Sequence, residues 1–312
     1  MIETRRLLCF KRVVFHWLLL CIGSISALAQ FPPDAPKTAC SHQVQVSTVD
    51  NLTFRAYKND VTGDACLQAF RNGMVIFRRT LGNDGSYTLG QPGDEYGPAI
   101  PNGKDVTGRG NPDMLVSFYT GGAHCCLQYY VFELEPTFRL IATLDGGSGD
   151  GSRFQMIDGK FYFVGADWTF SYWQASFADS PAPGVIVGFV DDPIGGGYHL
   201  ALGKMKKPQP TPEEWKEALS ETRSAFGQTN PFSGGIGSQL WGNMLDFIYG
   251  GHSNLAWKIL DESWPARRKG KDNFLSDFCS QLKTSPYWLD LKPTITDLPQ
   301  PCANARPAKT GS

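Results

Sequence analysis

The chain has 312 residues, of which 41% are hydrophobic and 19% are charged, and its formal net charge is -1. This composition supplies enough apolar residues for a real core to form, unlike that of a disordered chain. A net charge near zero gives no reason to expect nucleic acid or an acidic membrane surface as a partner. We therefore expect a globular protein that does not bind nucleic acid.

Residues 1–29 have the three-part layout of a secretory signal peptide. A basic start precedes a mostly apolar run, and Ala27-Leu28-Ala29 then supplies a small-x-small cleavage pattern. An uncleaved anchor is the alternative, but the run is short for a membrane span, which needs about 20 residues. We expect cleavage, a secreted or periplasmic location, and no membrane span in the mature chain.

The mature chain keeps an even set of cysteines, and an oxidising compartment favours their pairing in disulfides. They are Cys40, Cys66, Cys125, Cys126, Cys279 and Cys302. The adjacent Cys125 and Cys126 either bond to two others, such as Cys40 and Cys66, or bond to each other. We expect Cys279 and Cys302 to form a bridge that fastens the C-terminal tail to the last helix.

Residues 40–205 are expected to form an antiparallel β-rich domain, either propeller-blade-like or a sandwich. Short β-branched or aromatic runs, bounded by Gly, Asn, Asp and Pro clusters, predict its strands. They lie at residues 52–56, 74–77, 114–119, 129–132, 161–164 and 185–189.

A change of sequence period at residue 206 marks a second region. Residues 206–211 are proline-rich and predict a linker. Thr211-Pro212-Glu213-Glu214 then has the signature of a helix start, with a capping hydroxyl and proline at the first helical position. Helical periodicity predicts a small domain of helical hairpins over residues 212–290, in which one helix ends at Gly250-Gly251. Residues 291–312 form a proline-rich tail.

A polar loop at residues 105–113, followed by an apolar run at residues 114–116, is repeated in part at residues 60–64. The spacing of about 45 residues is that of one small sheet or propeller blade. This segment resembles an FG-GAP or VCBS-type repeat, whose loop reads D-x-[DN]-x-[DN]-G-x-x-D. The resemblance implies a blade of an extracellular β-propeller, with a calcium site that would use Asp105, Thr107 and Asp113.

The loop departs from the family pattern at two ligand positions. Arg109 places a cation where the family has an oxygen ligand, and Thr107 replaces a carboxylate or amide, whereas calcium prefers 6–8 oxygen ligands. We therefore expect no cofactor, with calcium as the alternative. In this interpretation Asp105 caps backbone N–H groups, and Arg109 pairs with Asp113 or Asp105.

His124, Cys125 and Cys126 form a second candidate site. His124 and Cys126 would share one face of a strand and could approach a metal ion, or His124 could activate a cysteine nucleophile. Both activities need a free thiolate, which an oxidising compartment disfavours. Disulfides are therefore the expected state of these cysteines.

The aromatic segment at residues 167–173 is the candidate ligand-binding site. If it is a strand, Trp168, Phe170 and Tyr172 share one face. Exposed, they would form a platform for a sugar or peptide with Asp167 beside it, and buried, they would belong to the core. The glycine-rich residues 146–151, in a separate segment, predict a surface turn.

Common catalytic motifs are missing from the sequence, which contains no G-x-S-x-G, H-E-x-x-H, P-loop or G-x-G-x-x-G. We interpret the chain as an exported, non-catalytic binding or interaction protein whose partner is an extracytoplasmic protein or glycan. The alternative is an exported hydrolase that acts on a cell-envelope sugar or peptide.

Overall fold

The computed structural model describes residues 40–82, 84–122, 126–148, 151–192, 195–227 and 234–308. The predicted signal peptide lies outside these residues, and so do His124 and Cys125.

Within the described residues, twelve strands form three four-stranded antiparallel sheets, and each sheet is a meander in chain order. The first sheet contains β1 (His42–Val49), β2 (Leu52–Lys58), β3 (Ala65–Arg71) and β4 (Met74–Leu81). The second contains β5 (Ser86–Leu89), β6 (Asp113–Tyr119), β7 (Leu127–Glu133) and β8 (Arg139–Gly147). The third contains β9 (Arg153–Ile157), β10 (Lys160–Ala166), β11 (Gly184–Val190) and β12 (Gly197–Leu200).

The second sheet lies between the other two because its strands are apolar on both faces. Side chains on one face, including Phe132, pack on the first sheet, where the rings of Phe132 and Phe54 are 5.4 Å apart. Side chains on the other face, including Tyr129, pack on the third sheet, where the rings of Tyr129 and Phe163 are 5.3 Å apart. The antiparallel β region is therefore as predicted. In the described part of the chain the sheets do not close into a ring, so a propeller is not shown.

Helices follow the third sheet. They are α1 (Leu202–Met205), α2 (Pro212–Ser224), α3 (Gln239–Tyr249), α4 (Ser253–Ser263), α5 (Lys271–Leu282), α6 (Trp288–Leu291) and α7 (Gln300–Asn304). As predicted, α2 begins at Pro212 with Thr211 as its capping residue, whose Oγ1 accepts from the Glu214 N–H. Glu214 Oε2 in turn accepts from the Thr211 N–H, which completes a capping box. Likewise α3 ends at Tyr249, and Gly250 is its C-cap.

The helices share one hydrophobic core with the second and third sheets. Phe163 and Val187 of the third sheet belong to the same cluster of buried side chains as Trp241 of α3 and Phe278 of α5. Leu291, at the start of the proline-rich tail, is also buried in this cluster. The core is thus continuous across residues 206–211, which have no helix or strand.

Disulfides are present in both regions. Cys279 pairs with Cys302, as predicted, and so ties α7 to α5. Cys40 pairs with Cys66, which excludes the alternative in which these two bond to Cys125 and Cys126. Cys126 is also disulfide-bonded. Oxidised cysteines are consistent with an extracytoplasmic protein. Among the described residues no helix has the length and apolar character to cross a membrane.

Candidate functional site

The loop that precedes β6 is held by its own acids. Asp105 Oδ1 accepts from the N–H of Gly108 at 2.7 Å, and Asp105 Oδ2 accepts from the N–H of Gly110 at 2.8 Å. Both glycines have positive φ angles, +77° and +84°, a conformation in which glycine is not strained. The predicted cap at Asp105 therefore exists, and it rigidifies the loop from within.

Asp113, the first residue of β6, closes the same loop. Its Oδ2 accepts from the N–H groups of Val106 and Thr107 and from the Thr107 hydroxyl, at 2.9, 3.0 and 3.1 Å. Its Oδ1 is buried and has no hydrogen-bond partner among the described residues. Burial raises the pKa of Asp113 from 3.8 to about 6, because the N–H and hydroxyl donors only partly offset the loss of solvation.

Arg109 does not pair with either acid of its own loop, contrary to the sequence-based expectation. Its guanidinium lies 3.2 Å from Glu133 Oε1 and 3.6 Å from Asp191 Oδ1. Arg139 binds the other oxygen of Glu133 at 2.7 Å, so this nearly buried carboxylate lies between two arginines. Arg109 therefore links the loop to β7 and to the segment after β11, and it does not replace a calcium ion.

The two copies of the proposed repeat occupy different places in their sheets. Residues 60–64 connect β2 to β3, the second and third strands of the first sheet, whereas residues 105–113 lead into β6, the second strand of its sheet. In the first copy, Asn59 Oδ1 accepts from the N–H groups of Val61 and Thr62. The two similar sequences therefore form two turns, one capped by an amide and one by an acid, that lead to different strand positions in their sheets.

A cleft of about 510 Å³ lies between the loop and one end of the third sheet, and we call it the loop cleft. Aromatic rings and charged side chains both line it. Its lining includes Lys104, Asp105, Arg109, Met156, Lys160, Phe161, Tyr162, Phe189 and Asp191. Sequence reasoning found the loop but missed Lys160, Phe161 and Phe189, because the packing of two sheets brings them to it.

The aromatic segment at residues 167–173 is not a strand. Trp168–Phe170 is a turn of 3-10 helix, and Asp167 caps it by accepting from the N–H of Thr169 at 2.9 Å. Phe170 is buried against Phe278 of α5, with ring centroids 5.1 Å apart. Of the two alternatives for these rings, burial in the core holds for Phe170, so Trp168, Phe170 and Tyr172 do not form one exposed face.

Trp168 instead forms a surface pair with Phe177, which sequence reasoning missed. The two rings are stacked, 5.2 Å apart and 6° from parallel. Tyr172, which is 62% exposed, lies beside Phe177 at 5.6 Å. Gly147 belongs to β8 and not to a surface turn, and a Cβ there would lie 1.9 Å from Trp168 Nε1. Gly147 and Trp168 are far apart along the chain, so no local sequence signal indicated this close contact.

Asp167 is buried and ties three parts of the chain together. Its Oδ1 accepts from Thr169, and its Oδ2 accepts from the hydroxyls of Tyr249 on α3 and Ser285 after α5. Burial and the nearby carboxylate raise the pKa of Tyr249 well above its ordinary value, so this hydroxyl stays protonated and donates. Asp167 thus has a structural role, although it also lines a small cavity.

That cavity, of about 160 Å³, has both acidic and aromatic walls, and we call it the acid-aromatic cavity. It lies where the third sheet meets the segment between α5 and α6. Its lining residues are Asp145, Ala166, Asp167, Trp168, Thr169, Pro286 and Tyr287. Two of the four predicted ligand-binding residues, Asp167 and Trp168, are therefore at a cavity, together with Asp145 and Tyr287, which the sequence did not single out.

The remaining candidates concern metals and thiols. His124 and Cys125 lie outside the described residues. Within the described residues, no group of three or more His, Cys, Asp or Glu side chains is arranged to hold a metal ion. No family model, curated protein or solved structure matches this chain.

Proposed function

We propose that this chain is an exported, disulfide-stabilised and non-catalytic binding protein that holds an acidic glycan in the loop cleft. The observation that supports the proposal is the combination of aromatic and charged walls in a cleft of about 510 Å³. Small-ligand sites of this size typically pair apolar walls with a few polar groups that fix the ligand's orientation.

The acids of the loop cleft favour binding over hydrolysis. A carboxylate that acts as nucleophile or as general acid must reach the substrate with a free oxygen. Asp105 uses both oxygens to accept from backbone N–H groups of its own loop. Asp191 faces the guanidinium of Arg109. Both acids therefore serve the architecture of the cleft.

The bases of the cleft indicate the charge of the ligand. Arg109 is balanced by Glu133 and Asp191. Lys104 and Lys160 are exposed at the cleft and extend into solvent. Two flexible ammonium groups beside the rings of Phe161 and Phe189 suit a sugar chain that carries carboxylates, because the rings cover its apolar faces and the lysines pair with its acids.

Calorimetric titration of the mature protein tests this proposal with an oligogalacturonate and a neutral oligoglucan of equal length. We expect the acidic chain to bind and the neutral chain to bind far more weakly. The double variant K104Q/K160Q should weaken binding by about tenfold, since two exposed ion pairs contribute up to about 1 kcal/mol each. K269Q, which changes an exposed lysine far along the chain from the cleft residues, is the matched control.

Two results would contradict the proposal. Equal affinity of the wild type and K104Q/K160Q would remove the loop cleft as the binding site. New reducing ends in the titrated samples, released by the wild type but not by K104Q/K160Q, would instead support the exported hydrolase.

A further inference from the structure

The acid-aromatic cavity shares no lining residue with the loop cleft. Asp145 and Asp167 line it, and every hydrogen-bond donor to their carboxylates in the described residues is a neutral group. Asp145 accepts from the N–H of Gly147 at 2.8 Å. Asp167 accepts from Thr169, Tyr249 and Ser285. Neutral donors stabilise a carboxylate but leave its negative charge in place, so the cavity is electronegative.

Tyr287 also lines the cavity, and its hydroxyl is affected by the same carboxylates. The pKa of its hydroxyl is raised, first by burial and then by the charges of Asp167, Asp145 and Asp290. The ring of Tyr287 therefore stays neutral and presents an aromatic wall to the cavity.

Trp168 supplies a second aromatic wall, and it is held in place before any ligand arrives. Its ring is stacked on Phe177, and its indole nitrogen lies against Gly147, where no side chain intervenes. A tryptophan ring attracts a cation more strongly than the other aromatic rings do. Because the ring is already fixed, a ligand would lose little affinity to the ordering of this side chain.

The walls favour an organic cation over a metal ion. Calcium needs 6–8 oxygen ligands, and magnesium needs a near-octahedral set. Here the oxygens of Asp167 already accept from several protein donors, and the aromatic walls offer no ligand to a metal. The cavity of about 160 Å³ has the volume of roughly five water molecules, at about 30 Å³ each. A compact head group of similar size fits this space.

We propose that the acid-aromatic cavity binds an alkylammonium head group, with Asp145 and Asp167 as its counter-ions and Trp168 and Tyr287 as its aromatic walls. The head group belongs either to a free quaternary ammonium compound of the choline type or to a lysine side chain of a protein. The shared chemistry is a cation with an apolar surface.

Calorimetric titration of the mature protein with three probes tests the proposal. The probes are choline, its uncharged isostere 3,3-dimethylbutan-1-ol, and Nα-acetyl-lysine methylamide. We expect choline or the lysine derivative to bind at least about tenfold more tightly than the neutral isostere, because the charge carries the recognition. Tighter binding of choline identifies a free amine as the ligand, and tighter binding of the lysine derivative identifies a protein side chain.

D145N is the decisive variant because it removes the negative charge while asparagine keeps an oxygen that can accept from the Gly147 N–H. It should weaken binding of the preferred probe by about fivefold to tenfold, and W168F should weaken it by a few-fold. D277N, which neutralises an exposed acid on α5, is the matched control and should bind like the wild type.

The proposal is overturned if the neutral isostere binds as tightly as both cations, if neither cation binds, or if D145N and D277N behave alike. Oligogalacturonate binding in the loop cleft should be the same in D145N and in the wild type. Failure at one site is therefore distinguishable from failure at the other.

Discussion

Asp113 and Asp167 are both buried, and each accepts hydrogen bonds from the N–H and the hydroxyl of one threonine. Asp113 stabilises a single loop, whereas Asp167 connects separate segments of the chain. Asp113 accepts from Thr107, six residues earlier, and so closes a loop. Asp167 accepts from Thr169, two residues later, and so caps a turn. The second oxygen makes the difference: that of Asp113 has no partner among the described residues, whereas that of Asp167 binds two helical-region hydroxyls.

This contrast shows that the number of segments an acid joins matters more than its burial. Loss of Asp113 would affect one loop, and it would also remove a buried oxygen that has no hydrogen-bond partner among the described residues. Loss of Asp167 would remove the acceptor that donors from three segments share, and a buried donor left without an acceptor costs about 1–3 kcal/mol. Asp113 therefore stabilises its own loop at the cost of burying a carboxylate. Asp167 connects the segment after β10 to α3 and to the segment after α5.

The largest expected effect is that of D167A. Removing this carboxylate leaves the Tyr249 and Ser285 hydroxyls and the Thr169 N–H without their acceptor, so we expect a loss of about 4 kcal/mol in the free energy of unfolding. Urea unfolding of the mature protein at pH 7 measures this loss. S285A, which removes one donor and leaves the acid in place, should cost about 1 kcal/mol. A loss below about 1 kcal/mol for D167A would show that Asp167 does not connect the two regions.

Asp113 should make stability depend on pH in the opposite sense to a salt-bridged acid. Its pKa is about 6 in the folded chain and 3.8 in the unfolded chain, so the folded chain holds the proton more tightly. The free energy of unfolding therefore falls as the pH rises from about 4 to about 6, and it then levels off. At about 1.4 kcal/mol per pH unit, the difference between about 6 and 3.8 corresponds to about 3 kcal/mol.

D113N isolates this contribution from that of the other acids. The amide oxygen of the introduced asparagine can take the place of Asp113 Oδ2 and accept from Val106 and Thr107, but the side chain does not ionise. Between pH 4 and pH 7 we expect its free energy of unfolding to fall by about 3 kcal/mol less than that of the wild type. Urea unfolding at several pH values measures both slopes, and D277N is the control with the wild-type slope. If the free energy of unfolding changes equally with pH in D113N and the wild type, the ionisation of Asp113 does not destabilise the folded chain.

Much of the β region was predictable because β-branched and aromatic runs that are bounded by turn-forming residues favour strands. The runs at residues 52–56, 114–119 and 185–189 lie in β2, β6 and β11. The aromatic residues at 167–173 did not form a strand, because a local hydrogen bond from the Thr169 N–H to Asp167 competes with pairing in a sheet. Trp168–Phe170 therefore forms a short 3-10 helix, in which Phe170 is buried in the core.

The sites were less predictable than the strands because their walls come from distant segments. The acid cap at Asp105 depends on glycines within five residues, and the sequence indicated it. The partner of Arg109 is Glu133 on β7, which only the packing of the sheets brings close. Tyr287 reaches the acid-aromatic cavity through a hydrogen bond of its N–H to Ser285, which itself binds Asp167. No spacing in the sequence encodes that chain of contacts.

The smallest expected effects come from the two threonines, and they compare the two acids most directly. T107V and T169V each remove one hydroxyl and keep the backbone N–H, so each should cost about 1 kcal/mol at pH 8. The Thr107 hydroxyl lowers the pKa of Asp113, so its loss should raise that pKa further. T107V should therefore be more damaging at pH 8, where Asp113 is ionised, than at pH 5, where it is mostly protonated. Equal losses at the two pH values would show that this hydroxyl does not stabilise the charged form.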